Sequence, residues 1–465
     1  MAEQPQVCLI VDNPLRDLDG LVLLARQLSA RGALTTLVPM YEQGFDVPAL
    51  RPDLVLLNYT RPNNVDLIKS YKRAGILVGI LDTEGIGGKN ADQFANMVKS
   101  AGRPDLVDLY CVWGQAQYAA FLRQGTVAAD LLHATGCPRY DFCAPPWRAA
   151  LASPSVGSGY VLINTNFPTV NPRFSGSSSA EEDSMVQAGF ARGFARQFIA
   201  DGSRAYRSTL DMAIKLAEHF SKVEFVLRPH PFENINSYDA FAALPNAKVI
   251  QSGTSLEWIS GARLLVHQNC STAIEATMLN VEPLSMEWFN TPSLRLDAAT
   301  RVSRGAQGEA EMLELVRQGL ENRMPPLPSQ TEAFRRKIIS DLYTAVDGAS
   351  SARVSEAVLA TIAAGGGCKQ PVHLLPPPSL RGVVAGALRR TLGYKASSVL
   401  RRSYSSAESE RRRAGKAFDA ETVNAILQRL NAASFDSRRF AARPAANGRT
   451  RRLSSGASLQ LVEVS

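Results

Sequence analysis

Val7-Cys-Leu-Ile-Val11, followed by the helically spaced stretch Leu18 to Ala30 and a second apolar run, Leu34 to Val38, decides how this chain is read. Five apolar residues without alternation suit a strand buried on both faces. A strand–helix–strand succession of that kind builds a parallel sheet covered by helices. The pattern continues outward through Asp53 to Leu57, Ile76 to Leu81 and Leu109 to Val112. Residues 1–150 therefore predict a Rossmann-like, doubly wound α/β domain. No GxGxxG follows the first strand, so a dinucleotide cofactor is not expected.

The turn-rich segments Ala144-Pro-Pro-Trp147 and Ala152 to Ser158 interrupt the pattern, which then restarts. Strands are expected at Tyr160 to Ile163, Val223 to Leu227, Lys248 to Ile250 and Leu264 to Val266. Helices are expected at Tyr206 to Phe220, Ser271 to Leu279 and Glu309 to Asn322. This second Rossmann-like domain spans 151–364, and the two halves are expected to face a cleft. Asn171 to Gly202, rich in Ser, Gly and acids, reads as a mobile loop plus a helix over that cleft. Gly365-Gly-Gly367 and Pro376-Pro-Pro378 mark a linker into a C-terminal extension, 365–465, expected to be partly disordered or associated with a membrane surface. A helix is expected there from Asp419 to Ala432.

The charge is uneven. From Gly366 to Ser465 there are 18 Lys/Arg against 6 Asp/Glu, a balance of +12. The whole chain carries +8, so the preceding residues carry −4. A mildly acidic body thus bears a basic tail. Aromatic residues are sparse in that tail and no known nucleic-acid module occurs, which argues against nucleic acid as the partner. An anionic membrane surface fits better, beside the plainer reading of a solvated extension. The 465 residues hold no run of about 18 apolar positions and no basic leader before an apolar core, so a cytoplasmic protein is expected, or one peripheral on the inner face of the membrane. Six cysteines, at 8, 111, 137, 143, 270 and 368, show neither CxxC nor zinc-site spacing. Neither a disulfide framework nor a bound metal is expected.

Three motifs carry chemistry. Arg228-Pro-His-Pro231 lies just past a strand; prolines on both sides hold His230, and imidazole beside guanidinium suits a phosphate. The plain alternative is a strand-ending turn with a surface histidine. His267-Gln-Asn-Cys-Ser-Thr272 follows another strand, and Ser271 or Thr272 is a natural N-cap at which a phosphate can sit. Glu275, one turn further on, can accept from ribose hydroxyls; its alternative is a solvated helix charge. In the first half, Leu81-Asp-Thr-Glu-Gly85 offers a general base, Glu84 first and Asp82 second, against the alternative of an exposed acidic turn. Asn164 and Asn166 after a strand, with Gln268 and Asn269, are candidates to line the cleft. Trp113-Gly114 and Thr135 to Asp141 read as structural.

In this order, Thr83-Glu84-Gly85, Gly136-Cys-Pro-Arg139, His230-Pro231 and Ser271-Thr272 resemble the motifs of bacterial GT-B glycosyltransferases that use cytidine nucleotides. These include polysialyltransferases, Kdo transferases and CDP-glycerol glycerophosphotransferases. Asn164 to Phe167, Arg228 to Pro231 and Ser271 to Glu275 are most similar to surface carbohydrate biosynthesis proteins of capsule and lipopolysaccharide, and the likeness covers about residues 5 to 345. The resemblance implies metal-independent, inverting transfer from a CMP-activated sugar, CMP-Kdo or CMP-sialic acid in type, to a saccharide or lipid-linked acceptor. It implies Glu84 as base, and His230 with Ser271 and Thr272 on the nucleotide phosphate. The nucleotide sugar is a substrate, and no separate cofactor is implied. Two features depart from the family pattern: Thr83 separates Asp82 from Glu84, and Cys270 precedes the hydroxyl pair. A CDP-glycerol-type transferase, a UDP-sugar epimerase and a non-catalytic scaffold of a polysaccharide assembly complex remain alternatives on the same fold.

Overall fold

The computed structural model describes residues 4–83, 90–173, 178–187, 190–367, 375, 380–402, 406–445 and 450–464. The chain divides into two α/β units, Met1–Ala150 with Ile339–Ser465, and Leu151–Ile338. The α/β class and the two doubly wound parallel sheets match the expectation.

The first unit contains β1 (Gln6–Val11), β2 (Leu34–Pro39), β3 (Leu54–Leu57), β4 (Leu77–Leu81), β5 (Leu109–Val112) and β6 (Leu132–Ala134). Its parallel core has the order β2-β1-β3-β4-β5-β6, with the switch point between β1 and β3. The strands are apolar because helices cover both faces: Val55, Val78, Ile80 and Tyr110 are fully buried. The helix Pro14–Ala30 is capped by Asn13, whose side chain accepts from the Leu15 amide. It packs so closely on the segment after β6 that a Cβ at Gly20 would lie 2.6 Å from the Arg139 amide nitrogen.

The second unit contains β7 (Tyr160–Asn164), β8 (Phe225–Arg228), β9 (Ala247–Val249), β10 (Ala262–His267), β11 (Glu282–Met286) and β12 (Arg304–Ala306). The sheet order β12-β11-β10-β7-β8-β9 is the Rossmann order, 3-2-1-4-5-6 when counted within the unit. The switch point lies between β7 and β10. Helix Arg192–His219 runs unbroken for 28 residues. Of the stretch expected as a loop with a helix, the described residues hold one helix at Ser178–Gln187 and, from Arg192, the first turns of the long one; 174–177 and 188–189 lie outside the described residues. Ala195, Ala205, Met212 and Leu216 bury a helical stripe across the whole length.

The C-terminal segment differs most from expectation. Residues 339–364, expected in the second unit, group with the first. The reason is local: Asp141 accepts from the Ser350 and Ser351 amides at 2.8 and 2.7 Å, capping helix Ser350–Ala363. Much of the basic extension is folded. Helix Ala420–Ala433 buries Val423, Ile426, Leu427 and Leu430. β13 (Arg439–Pro444) and β14 (Leu459–Val464) form a hairpin that extends the first sheet antiparallel to β2. Buried Arg26 donates from Nε to Asn431 and from Nη2 to the Arg438 carbonyl, each at 3.2 Å. Tail residues also meet three buried acids of the first unit. Lys416 pairs with Asp12, Arg413 with Glu42, and Ser455 donates from its amide and hydroxyl to Asp46, each at 2.6 Å.

Candidate functional site

Register places four polar side chains in one row across the second sheet. Arg228 pairs with Asn164, Asn164 with His267, and His267 with Ser285. All four are buried, at the carboxyl ends of β8, β7, β10 and β11. Open α/β sheets bind ligands at this end, about the switch point. A buried polar row is costly unless each member is satisfied, so the partners of each decide its role.

His267 is structural. Its Nδ1 accepts from the Cys270 amide at 3.3 Å, and Nε2 lies 2.8 Å from Ser303 Oγ, which donates to Ala299. This fixes the tautomer with the proton on Nε2. Burial pushes the imidazole down to about 3, so the ring is neutral in ordinary buffers.

Arg228 is different. Its guanidinium makes one hydrogen bond, Nη2 to the Gly253 carbonyl at 2.6 Å, and no ion pair among the described residues. Its Nε is buried without a hydrogen-bond partner. Burial lowers its pKa, and the charge of Glu275 is the largest influence opposing that shift. Glu275 itself is 6% exposed, so it is a buried carboxylate rather than a solvated helix charge. Asn164 donates to Thr272 Oγ1 at 2.9 Å across the switch point, while its Oδ1 is buried without a partner. A buried cation and an unpartnered amide oxygen at this place suit an anion and a hydroxyl-bearing group.

Two residues past Arg228, His230 is partly exposed. Its Nδ1 accepts from the Phe232 amide at 3.2 Å, so the neutral ring carries its proton on Nε2 and can donate there. The loop is held by Glu233, a residue missed in the sequence. Fully buried, it accepts from the Phe167 amide at 2.8 Å, the His230 amide at 3.1 Å, Thr165 Oγ1 at 3.0 Å, and Tyr238 Oη. One carboxylate thereby ties the loop after β7 to the loop after β8. Burial raises its pKa against these donors. The sequence signal for it was only an acid three residues past His230.

The Ser271–Thr272 expectation needs correction. The helix there, Thr272–Met278, has seven residues. Ser271 stands at the cap with helical backbone angles and makes no side-chain cap bond. The Ala273 and Ile274 amides already donate to Cys270 and Ser271 carbonyls at 3.1 and 3.0 Å. Ser271 therefore provides no side-chain cap, and these two amides are engaged within the first turn. Thr272 instead holds Asn164. Gln268 and Asn269 are likewise engaged: Gln268 with Asn290, at 2.5 and 3.2 Å, and Asn269 with Leu294 and the Leu296 amide. They fasten the loop after β11. Exposed Asn166 reaches the Asn269 carbonyl at 3.2 Å, a second bridge between the loops after β7 and β10.

In the first unit a cavity opens at the carboxyl ends of β1, β3 and β4, lined among others by Asp17, Asn58, Asp82, Thr83 and Arg139. Asn58 Nδ2 and Thr83 Oγ1 are buried there without hydrogen-bond partners. Asp82 is 3% exposed, and its carbonyl accepts from Trp113 Nε1 at 2.6 Å. The other expected base, Glu84, lies outside the described residues. Arg139, read as structural, lines this cavity beside the Trp113 and Tyr140 rings. No cluster of metal-ligating side chains occurs among the described residues.

No protein-family model and no curated protein matches the chain. Solved structures of similar architecture include the UDP-GlcNAc 2-epimerase from Methanocaldococcus jannaschii in complex with UDP-GlcNAc and UDP. It is 11% identical with a TM-score of 0.47, over 76% of this chain and 99% of that one. The UDP-GlcNAc 2-epimerase from Neisseria meningitidis bound to UDP-GlcNAc is 12% identical with a TM-score of 0.45, over 76% and 100%. The wall teichoic acid polymerase TagF is 10% identical with a TM-score of 0.46, over 77% and 89%.

Proposed function

We propose that the protein is a glycosyltransferase of surface polysaccharide synthesis that binds a nucleotide-activated sugar at the second unit's switch point. The observation that carries this is the buried Arg228 guanidinium: a cation with a single carbonyl partner, at the place where this fold takes its ligands. A phosphate supplies the hydrogen-bond acceptors it lacks. The donor is a CMP-activated sugar of the Kdo or sialic acid type, which rests on the motif resemblance.

The acceptor, a saccharide free or lipid-linked, gives up a hydroxyl proton to Glu84, or to Asp82 as second candidate. The hydroxyl oxygen forms a bond to the anomeric carbon as the bond from that carbon to the phosphate oxygen breaks. The electron pair leaves on the phosphate, where Arg228 and the His230 Nε2–H stabilise the growing charge. Inversion follows from a single displacement. Asn58 and Thr83 in the first unit's cavity offer hydrogen bonds to acceptor hydroxyls.

The test is nucleotide release from CMP-Kdo and CMP-sialic acid in buffer with EDTA, using a bacterial glycolipid extract as acceptor, with UDP-GlcNAc and CDP-glycerol as comparison donors. CMP release that persists in EDTA and falls at least a hundredfold in Glu84→Gln supports the reading. Turnover of CDP-glycerol or UDP-GlcNAc instead overturns the donor. An absolute need for a divalent ion overturns the metal-free mechanism.

A further inference from the structure

Helix Leu380–Arg402 of the first unit turns an apolar stripe to solvent. Leu380, Val384, Leu388 and Leu392 recur every four residues with Val383 beside them, and all five are exposed, from 40% at Leu388 to 80% at Leu380. A stripe at that spacing is the mark of a helix with something to cover it. The helix is anchored at its kink, where Gly393 adopts φ 72° against Arg452. Arg452 donates to the Thr391 carbonyl at 2.6 Å, and the Tyr394 ring packs edge-on against Phe45, centroids 5.1 Å apart.

The charge of the surrounding sequence selects the occupant. Residues 366–407 contain seven Lys/Arg (Lys369, Arg381, Arg389, Arg390, Lys395, Arg401, Arg402) and not one Asp or Glu. Two copies meeting through this segment would bring two sequences of the same sign together, because a two-fold interface is self-complementary. No helix among the described residues is long and apolar enough to cross a membrane. A cationic helix with an exposed apolar stripe matches a surface that is anionic outside and apolar just beneath.

We propose that helix Leu380–Arg402 docks the protein on an anionic phospholipid surface, with the Leu380–Leu392 stripe in the acyl boundary and the cations of this segment neutralising headgroup charge. This contact is independent of the donor and of the reaction proposed above.

Flotation of the full chain with phosphatidylcholine vesicles, with and without phosphatidylglycerol, tests it. The protein is expected to float only with the anionic vesicles, and less so in high salt. Arg389→Gln with Arg390→Gln should weaken partitioning about fivefold for each cation removed. Val384→Glu with Leu388→Glu should abolish flotation with an unchanged melting temperature, since both side chains are exposed. Equal binding to neutral vesicles, no binding to either, or binding retained by the double glutamate variant would each overturn the proposal. A concentration-dependent dimer that the glutamate variant dissolves would overturn it in favour of a second copy of the chain.

Discussion

The two sheets differ in where they keep their polar residues. In the second sheet the polar side chains stand within the strands, Arg228, Asn164 and His267 as last residues and Ser285 one before the end, aligned by register. In the first, the strands end in Val11, Leu57 and Leu81, and the polar residues stand one step further out at Asp12, Asn58 and Asp82. The second row presents a cation. The first presents carboxylates, and the tail neutralises part of that charge through Lys416 on Asp12 and Arg413 on Glu42. The same architecture thus buries an under-bonded cation in one unit and, in the other, the unpartnered Asn58 Nδ2 and Thr83 Oγ1. The first unit also depends on residues some 400 positions away.

That dependence can be broken. Truncation after Arg402 removes the β13–β14 hairpin and four buried aliphatic side chains of helix Ala420–Ala433. Each such side chain contributes about 1.5–3 kcal/mol. The cut also leaves Asp12, Glu42 and Asp46 without their tail partners. The sum rivals the whole stability of a domain, about 5–15 kcal/mol. The first unit is expected to lose its fold, seen as lost near-ultraviolet circular dichroism and rapid proteolysis of residues 4–150. A truncated chain with native spectrum and native protease resistance would show that the tail is merely appended.

The second comparison is between two bridges of the second unit, Glu233 between the loops after β7 and β8, and Thr272 with Asn164 across the switch point. Glu233→Ala leaves four donors without their acceptor, at about 1–3 kcal/mol for each buried group left unsatisfied. It should lower the melting temperature and weaken nucleotide binding together. Thr272→Val, which removes the acceptor for Asn164 and the donor to Cys270 Sγ, should cost about 1–2 kcal/mol and keep the Glu233-held loops in place. Equal effects from both variants would contradict the central place given to Glu233.

A further effect is confined to acid. His267 is neutral when folded because its pKa is depressed to about 3, whereas in the unfolded chain it titrates near 6.5. Below 6.5 the unfolded state takes up the proton first. The stability due to this group is therefore complete above pH 6.5 and is lost as pH falls toward 3. His267→Phe should flatten the dependence of unfolding free energy on pH between these values, measured by urea titration. A slope unchanged from wild type would place the acid sensitivity elsewhere.

Long apolar runs were legible because burial on both faces leaves no alternation to misread; β1, β4, β7 and β10 lie within a residue or two of expectation. The strands that escaped had little to show. β6 and β12 have three residues each, β11 begins Glu282-Pro283, and β13 and β14 alternate within an arginine-rich tail, β13 at the sheet edge. The tail looked like a solvated extension because its partners, Asp12, Glu42 and Asp46, are distant in sequence. The place of Arg228 at a strand end and of His230 just past it was legible, because an apolar run leads directly into them. Glu233 was not, since a carboxylate that accepts mainly backbone amides leaves no motif. Ser271 misled because a serine before a helix usually caps it; here the first turn closes on the Cys270 and Ser271 carbonyls.

The most direct test of the account is calorimetric titration of CMP into wild type and His230→Ala, with UDP and GDP as controls. His230 is partly exposed, so the variant should remain folded. The account predicts that CMP binds wild type in preference to UDP and GDP. It also predicts that His230→Ala weakens binding at least about tenfold, because a hydrogen bond to a charged group contributes about 1.5–3 kcal/mol. Equal affinity in the variant, or no heat from any nucleotide, would contradict a phosphate site at Arg228 and His230.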